Sequence, residues 1–186
     1  MHHERVCPVW VGYFLACPVR KLYQNPKKIL SPFIREGMNV LDVGCAMGYY
    51  SLPLSRMVGP KGKVICVDLQ EKMIQTLSKR AGKAGLLDRI ETRICLSDSL
   101  GLDNLVEEID FALASAVVHE VPEPEIFFSE ISKSMKKGGR FLIIEPKAHV
   151  SIEEFKNTIR TAEKSGFEVI EKPRVRGSHS ALLIKK

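Results

Sequence analysis

Four groups of residues in this chain have the types and spacing to bind a small polar molecule. The first is Asp42-Val43-Gly44-Cys45-Ala46-Met47-Gly48. Gly44 and Gly48 let the backbone turn tightly and approach a ligand with no Cβ in the way, and Asp42 can attract a cationic group or order the loop. The second is Asp68-Leu69. The Asp68 carboxylate can accept from both hydroxyls of a ribose, or cap a helix that starts near Lys72. In the third, Ser97-Asp98-Ser99, Asp98 can accept from an aromatic amino group, or the three residues form a polar turn. The fourth runs from Ser115 to Glu120 and holds His119, whose imidazole titrates near neutral pH and can take a proton from an oxygen, nitrogen or carbon acid. A packed or loop-capping histidine is the alternative there. Glu145 is a weaker candidate of the same kind, and Tyr13 and Tyr23 would line a pocket if the N-terminal residues fold over it.

Each group follows a segment that reads as a β-strand. Asn39 to Val43, Lys63 to Asp68, Ile90 to Cys95, Ile109 to Ala114 and Arg140 to Ile144 are short, apolar and rich in β-branched residues. Helical periodicity fills the intervals: Tyr49 to Val58, Lys72 to Ala84, and Pro124 to Met135, the last ended by Gly138-Gly139. Ser151-Ile152-Glu153-Glu154 has the spacing of a capping box, predicting a helix to about Ser165. Phe167 to Arg174 and Ser180 to Lys185 are near enough to pair as an antiparallel hairpin. Alternating strands and helices predict an α/β doubly wound, seven-stranded, mostly parallel sheet with helices on both faces and an antiparallel C-terminal hairpin strand. Ligands of such sheets bind beyond the carboxyl ends of the strands, where all four groups fall.

Before this pattern, residues 1–37 form an N-terminal extension in which Pro8, Pro18, Pro26 and Pro32 allow only short helices. We expect it to act as a helical lid on one domain, residues 38–186. Its apolar run, Val9 to Ala16, is much shorter than the ~20 residues of a membrane span. With 45% hydrophobic and 27% charged residues, the composition excludes a disordered chain. A net charge of +6 permits anionic partners, nucleic acid among them, without selecting one. The five cysteines are odd in number and lack paired zinc-site spacing, so they read as free thiols in a reducing cytoplasm, and no metal site is expected.

Leu41-Asp42-Val43-Gly44-Cys45-Ala46-Met47-Gly48, Val67-Asp68, Ser97-Asp98 and Lys137-Gly138-Gly139-Arg140-Phe141-Leu142-Ile143-Ile144-Glu145-Pro146 resemble class I S-adenosylmethionine (SAM) dependent methyltransferases. The likeness runs in order over about residues 38–186 and is greatest to the small-molecule group that includes the ubiquinone and menaquinone enzymes. It implies six parallel strands and an antiparallel seventh. It also implies that the Gly44–Gly48 loop, with Asp42, Cys45 and Ala46, meets the methionine part of SAM. By the same resemblance Asp68 meets the ribose, Leu69 the adenine face and Asp98 the adenine amino group, Ser97 and Ser115 also border the cofactor, and His119 and Glu120 face the transferred methyl. Ala46 departs from the family, which usually has a middle glycine there.

The expected function is therefore methyl transfer from SAM to a small molecule, releasing S-adenosylhomocysteine. A SAM-binding regulatory or adaptor domain without turnover, and an RNA methyltransferase, are the alternatives. Ala114 to His119 lacks the Asn-Pro-Pro-aromatic run of amino-group nucleic-acid methyltransferases. A nicotinamide-dependent reductase would need GxGxxG, a spacing Gly44 to Gly48 does not have. An arsenite methyltransferase would need several cysteines to converge on a soft metalloid. The identity of the acceptor and the oligomeric state are not encoded in any of these motifs.

Overall fold

The computed structural model describes residues 24–186. Most of the proposed extension, with Tyr13 and Tyr23, lies outside the described residues. Its remaining part contains one short helix, α1 (Pro26–Leu30), started by the Asn25 side chain, which accepts from the Lys27 and Lys28 N–H groups, with Pro26 in the first turn.

Seven strands follow: β1 (Asn39–Val43), β2 (Lys63–Asp68), β3 (Ile90–Ile94), β4 (Ile109–Ser115), β5 (Met135–Pro146), β6 (Phe167–Glu171) and β7 (Ser178–Lys185). They form one sheet in the order β3-β2-β1-β4-β5-β7-β6. β7 runs antiparallel to both β5 and β6, and the other pairings are parallel. The order reverses between β1 and β4, so the crevice predicted for a ligand opens at their carboxyl ends.

Alternate residues of each strand feed two cores. Leu41, Ile65, Ala112, Phe141 and Ile143 pack with α4 (Pro124–Ser134) and α5 (Ile152–Lys164) through Phe127, Phe128, Ile131 and Phe155. Val40, Val64, Phe111 and Leu142 face the other way, toward α2 (Ser51–Met57) and α3 (Glu71–Lys83), which contribute Leu54, Ile74 and Leu77. The period of two in the strands and of three to four in the helices thus meets on both faces. The capping box of α5 forms as expected: Ser151 Oγ accepts from the Glu154 N–H, and Glu154 accepts from the Ser151 N–H at 2.8 Å. No helix among the described residues is long and apolar enough to cross a membrane.

The hairpin strands run Phe167–Glu171 and Ser178–Lys185 rather than to Arg174 and from Ser180, and two further boundaries shift. β5 begins at Met135 rather than Arg140, because Met135 leaves α4 in extended geometry and pairs with Ile109. The Gly138-Gly139 pair is therefore an irregularity inside the strand, not a spacer before it. Gly138 has φ 78°, and a Cβ on Gly139 would stand 2.8 Å from the Lys136 carbonyl. α2 begins at Ser51 rather than Tyr49, since the loop after β1 turns through Tyr50 before the helix starts.

Candidate functional site

The loop after β1 is bent by backbone conformation. Gly44, Ala46 and Gly48 have φ of 66°, 46° and 82°, the left-handed region that glycine enters freely and alanine only with strain. The Gly44 and Cys45 N–H groups both donate to the Val67 carbonyl, at 2.9 and 3.1 Å, clamping the loop to β2. Arg80 donates to the Met47 carbonyl from α3 and is held below the ordinary guanidinium range by burial. The missing Cβ of each glycine faces protein: on Gly44 it would lie 2.6 Å from Val117 Cγ2, and on Gly48 2.3 Å from Leu77 Cδ1. Glycine is thus required here by packing within the chain, a reason the sequence reading did not include. The Gly44 contact also presses the loop after β4 against the loop after β1.

Two carboxylates lie beneath and beside this loop. Asp42 is buried and accepts from Ser51 Oγ at 2.5 Å. Burial pushes its carboxyl up to about 7, opposed by the serine and reinforced by nearby Asp68. Asp68, 8% exposed, accepts the Ala46 N–H on one oxygen at 2.8 Å and the Gln70 N–H on the other at 2.9 Å. Burial raises it, and these two bonds pull it back. Each carboxylate oxygen keeps a second lone pair that can accept a further donor. Leu69, beside it, is 37% exposed and so presents apolar surface next to the carboxylate. The Gln70 N–H on Asp68 closes a local turn ahead of α3, but the N-cap of that helix is Gln70, so Asp68 is not its cap.

Ser97 and Asp98 are exposed at a turn closed by the Leu96 N–H on the Ser99 carbonyl, 2.9 Å. The turn follows β2 closely, since the Cys95 N–H donates to the Asp68 carbonyl at 3.1 Å. Among the described residues no hydrogen bond joins the Ser97 or Asp98 side chain to Asp68. Cys45 and Cys66 are buried and Cys95 is half-buried, all three as free thiols. Burial raises the Cys45 thiol, reinforced by the neighbouring Cys66 thiol, and lifts Cys95 to about 11.

At the ends of β4 and β5 the site is made of side chains. Ser115 pairs with Ile144 at the last rung, and Ala116, with φ 58°, turns the chain out of the sheet. Glu145, 1% exposed, then gathers this turn: one oxygen accepts the Val117 and Val118 N–H groups at 3.2 and 2.9 Å, and the other meets His119 Nδ1 at 2.5 Å. The carboxylate holds the His119 imidazole above its ordinary range, against a smaller opposing effect of burial. Nε2 is left toward the surface, 3.9 Å from Glu120. His149 stacks on the His119 ring with centroids 5.9 Å apart. Glu145 is therefore the direct partner of His119, a more central place than its sequence position implied. Neither Arg80 nor His149 was singled out from the sequence. A lone arginine in a helix and a histidine after Pro146 carry no motif.

Comparison with known proteins places the chain in a family. A methyltransferase domain family matches residues 34–174. A demethylmenaquinone methyltransferase of Symbiobacterium thermophilum is 32% identical over 112 residues, and one of Staphylococcus aureus is 26% identical over the same length. These matches cover 60% of this chain but only 43% and 44% of the relatives, so the chain spans less than half the length of the curated relatives it matches. A SAM-dependent methyltransferase from Aquifex aeolicus superimposes with a TM-score of 0.86 at 28% identity, covering 97% of this chain and 100% of that one. With a family model matched over residues 34–174 and that superposition over 97% of its length, the chain belongs to the class I SAM-dependent methyltransferase family.

Proposed function

We propose that this chain binds SAM at the carboxyl ends of β1 and β2 and transfers its methyl group to a small molecule held beside His119. The observation that carries the reading is the contact of Val117 with Gly44, because it sets the loop bearing His119 directly against the loop assigned to the cofactor. Gly44, Cys45, Ala46 and Gly48 border the methionine part, with Asp42 beneath them. Asp68 takes the ribose hydroxyls, Leu69 covers the adenine, and Ser97 and Asp98 serve its amino group. Ser115 closes the gap between the two halves. Bound SAM supplies an electrophilic methyl group on a cationic sulfur.

The chain's own contribution is positioning and proton removal. Glu145 engages Nδ1 of His119 and so presents Nε2 to the acceptor, where it takes a proton as the acceptor atom attacks in line. Glu145 is a positioning residue in this scheme. Residues 1–37 serve as the lid: Gln24 donates to Ser178 Oγ at 3.0 Å and its carbonyl accepts from Tyr49 Oη at 2.6 Å, which fixes the root of the extension at the same sheet edge. A small-molecule acceptor is favoured over RNA by the names of the curated relatives and by the absence of Asn-Pro-Pro-aromatic after β4. The free thiols suit a reducing cytoplasm. The strained φ of Ala46 favours one second reading, a SAM-binding regulatory domain without turnover.

Calorimetric titration with SAM, S-adenosylhomocysteine and NADH separates these readings. Micromolar binding of the first two, lost in Asp68→Ala, is the expected result. Binding of NADH alone would overturn it. SAM binding with no release of S-adenosylhomocysteine across an acceptor panel would favour the regulatory reading.

A further inference from the structure

On the α4–α5 face of the sheet, α5 and the β6–β7 hairpin line a solvent-open cavity of about 600 Å³. That size accommodates a small organic molecule. Its floor is apolar, built from Phe155, Ile159, Val169 and Ala181. Its rim is basic: five lysines and arginines line it against one carboxylate, Glu163. Two of the five are already engaged, Lys156 by Glu153 at 2.7 Å and Arg160 by Asn157 at 2.8 Å. Lys147, Lys172 and Arg174 are exposed and form no ion pair among the described residues.

These linings select by chemistry. A cation is repelled at the rim, and a bare hydrated anion gains nothing from the apolar floor. An apolar body that ends in a phosphate or carboxylate satisfies both. The cavity also lies beside the transfer site. His179 is in its wall, stacked on Phe155 with centroids 5.4 Å apart, and is the cross-strand partner of Glu145. Opposed residues in an antiparallel pair have Cβ atoms only about 5 Å apart. Glu145 in turn holds His119.

We propose that this cavity anchors the methyl acceptor and that the acceptor is an amphipathic anion, with Lys172 and Arg174 at its charged head and the floor of Phe155, Ile159, Val169 and Ala181 under its body. The assignment of the occupant as acceptor rests on the methyl-transfer reading. The selectivity of the cavity does not.

Both can be tested on the full chain by titrating decyl phosphate, decanoate, decanol, decyltrimethylammonium and inorganic phosphate, with SAM affinity measured on the same samples. Decyl phosphate and decanoate should bind at least ten times more tightly than the other three. The Lys172→Glu, Arg174→Glu double variant should lose at least tenfold of that affinity and keep SAM binding, whereas Lys61→Glu, at an exposed turn, should change neither. Stronger binding of phosphate than of carboxylate would identify the head group, and the reverse would do the same. NMR signals of the His179 and His119 rings should shift on binding. Equal affinity for decanol or for the decyl cation, or no effect of the double variant, would overturn the cavity's selectivity. Displacement of decyl phosphate by a short RNA of higher affinity would overturn the small-molecule occupant. Binding that leaves the His119 signals unmoved would overturn its role as acceptor. If SAM fails to bind while the amphipathic anions still do, the methyltransferase reading falls and the anion site stands.

Discussion

On the β1–β2 side of the carboxyl edge, the site is made of backbone. Three residues with positive φ, two N–H groups on one carbonyl and a buried carboxylate that accepts two more N–H groups fix its shape. On the β4–β5 side it is made of side chains, a histidine held by a glutamate 26 residues away in sequence and stacked on a second histidine. The first half is held by backbone hydrogen bonds to β2 and by packing of α3 and Val117 on its glycines. The second is held by side chains, so substitution can vary the groups it presents while the backbone of the first half stays the same. That division suits a constant ligand on one side and a variable one on the other.

The strongest challenge to this contrast is electrostatic. Asp42, with its carboxyl near 7 against an ordinary value of about 4, holds a proton more tightly folded than unfolded. Stability is then fully present below the ordinary carboxylate pKa, falls as pH rises toward 7 and levels off above it, by up to ~4 kcal/mol. Raised His119 acts in the same direction at higher pH, with its contribution lost as pH rises through its folded value. Asp42→Asn should therefore flatten the slope of unfolding free energy between pH 4 and 7 relative to wild type. An unchanged slope would show that the cofactor half carries no such stored cost.

Gly48→Ala comes next. Its φ of 82° and the 2.3 Å approach of Leu77 predict a loss of about 2–3 kcal/mol. Gly85→Ala, with φ 66° and open space around it, supplies the comparison and should lose only about 1 kcal/mol. Equal losses in denaturant would mean that packing contributes nothing to the loop. On the other side, Glu145→Gln still accepts the Val117 and Val118 N–H groups but no longer offers a charge to His119. The histidine should titrate closer to its ordinary value by NMR, and transfer at neutral pH should slow by ~10-fold, about 1.4 kcal/mol, with unfolding little changed. A collapse of stability with no change in His119 titration would make Glu145 structural only. The smallest effect is expected remote from both halves, in Ser151→Ala, where loss of the capping box should cost about 1 kcal/mol in thermal or chemical unfolding and nothing in SAM affinity.

The same contrast governs what could be read in the sequence. The strands, the antiparallel end of the sheet and the acids at Asp42 and Asp68 were legible because each is set by a run of neighbouring residues: alternation, a glycine turn, a carboxylate at a strand's end. The start of β5 was misplaced because Gly138-Gly139 reads as a spacer, whereas pairing of Met135 with Ile109 extends the strand across it. Packing of Val117 on Gly44, the grip of Arg80 on Met47 and the His119–Glu145–His149 group join residues far apart in the chain. No local pattern encodes such distances, so their partners became visible only when the strands were laid side by side.

The antiparallel β7 has a practical outcome for anyone who wishes to label or immobilise this protein. It carries the chain from Ser178, opposite Pro146 at the carboxyl edge, to Lys185, opposite Phe167 at the amino edge. Lys186 stays at that amino edge through its N–H on the Gly166 carbonyl, 3.0 Å. A fluorophore or surface tether on the Lys186 side chain would therefore leave the crevice open to solvent, whereas one on Gln24, which donates to Ser178 at the carboxyl edge, would stand near its rim.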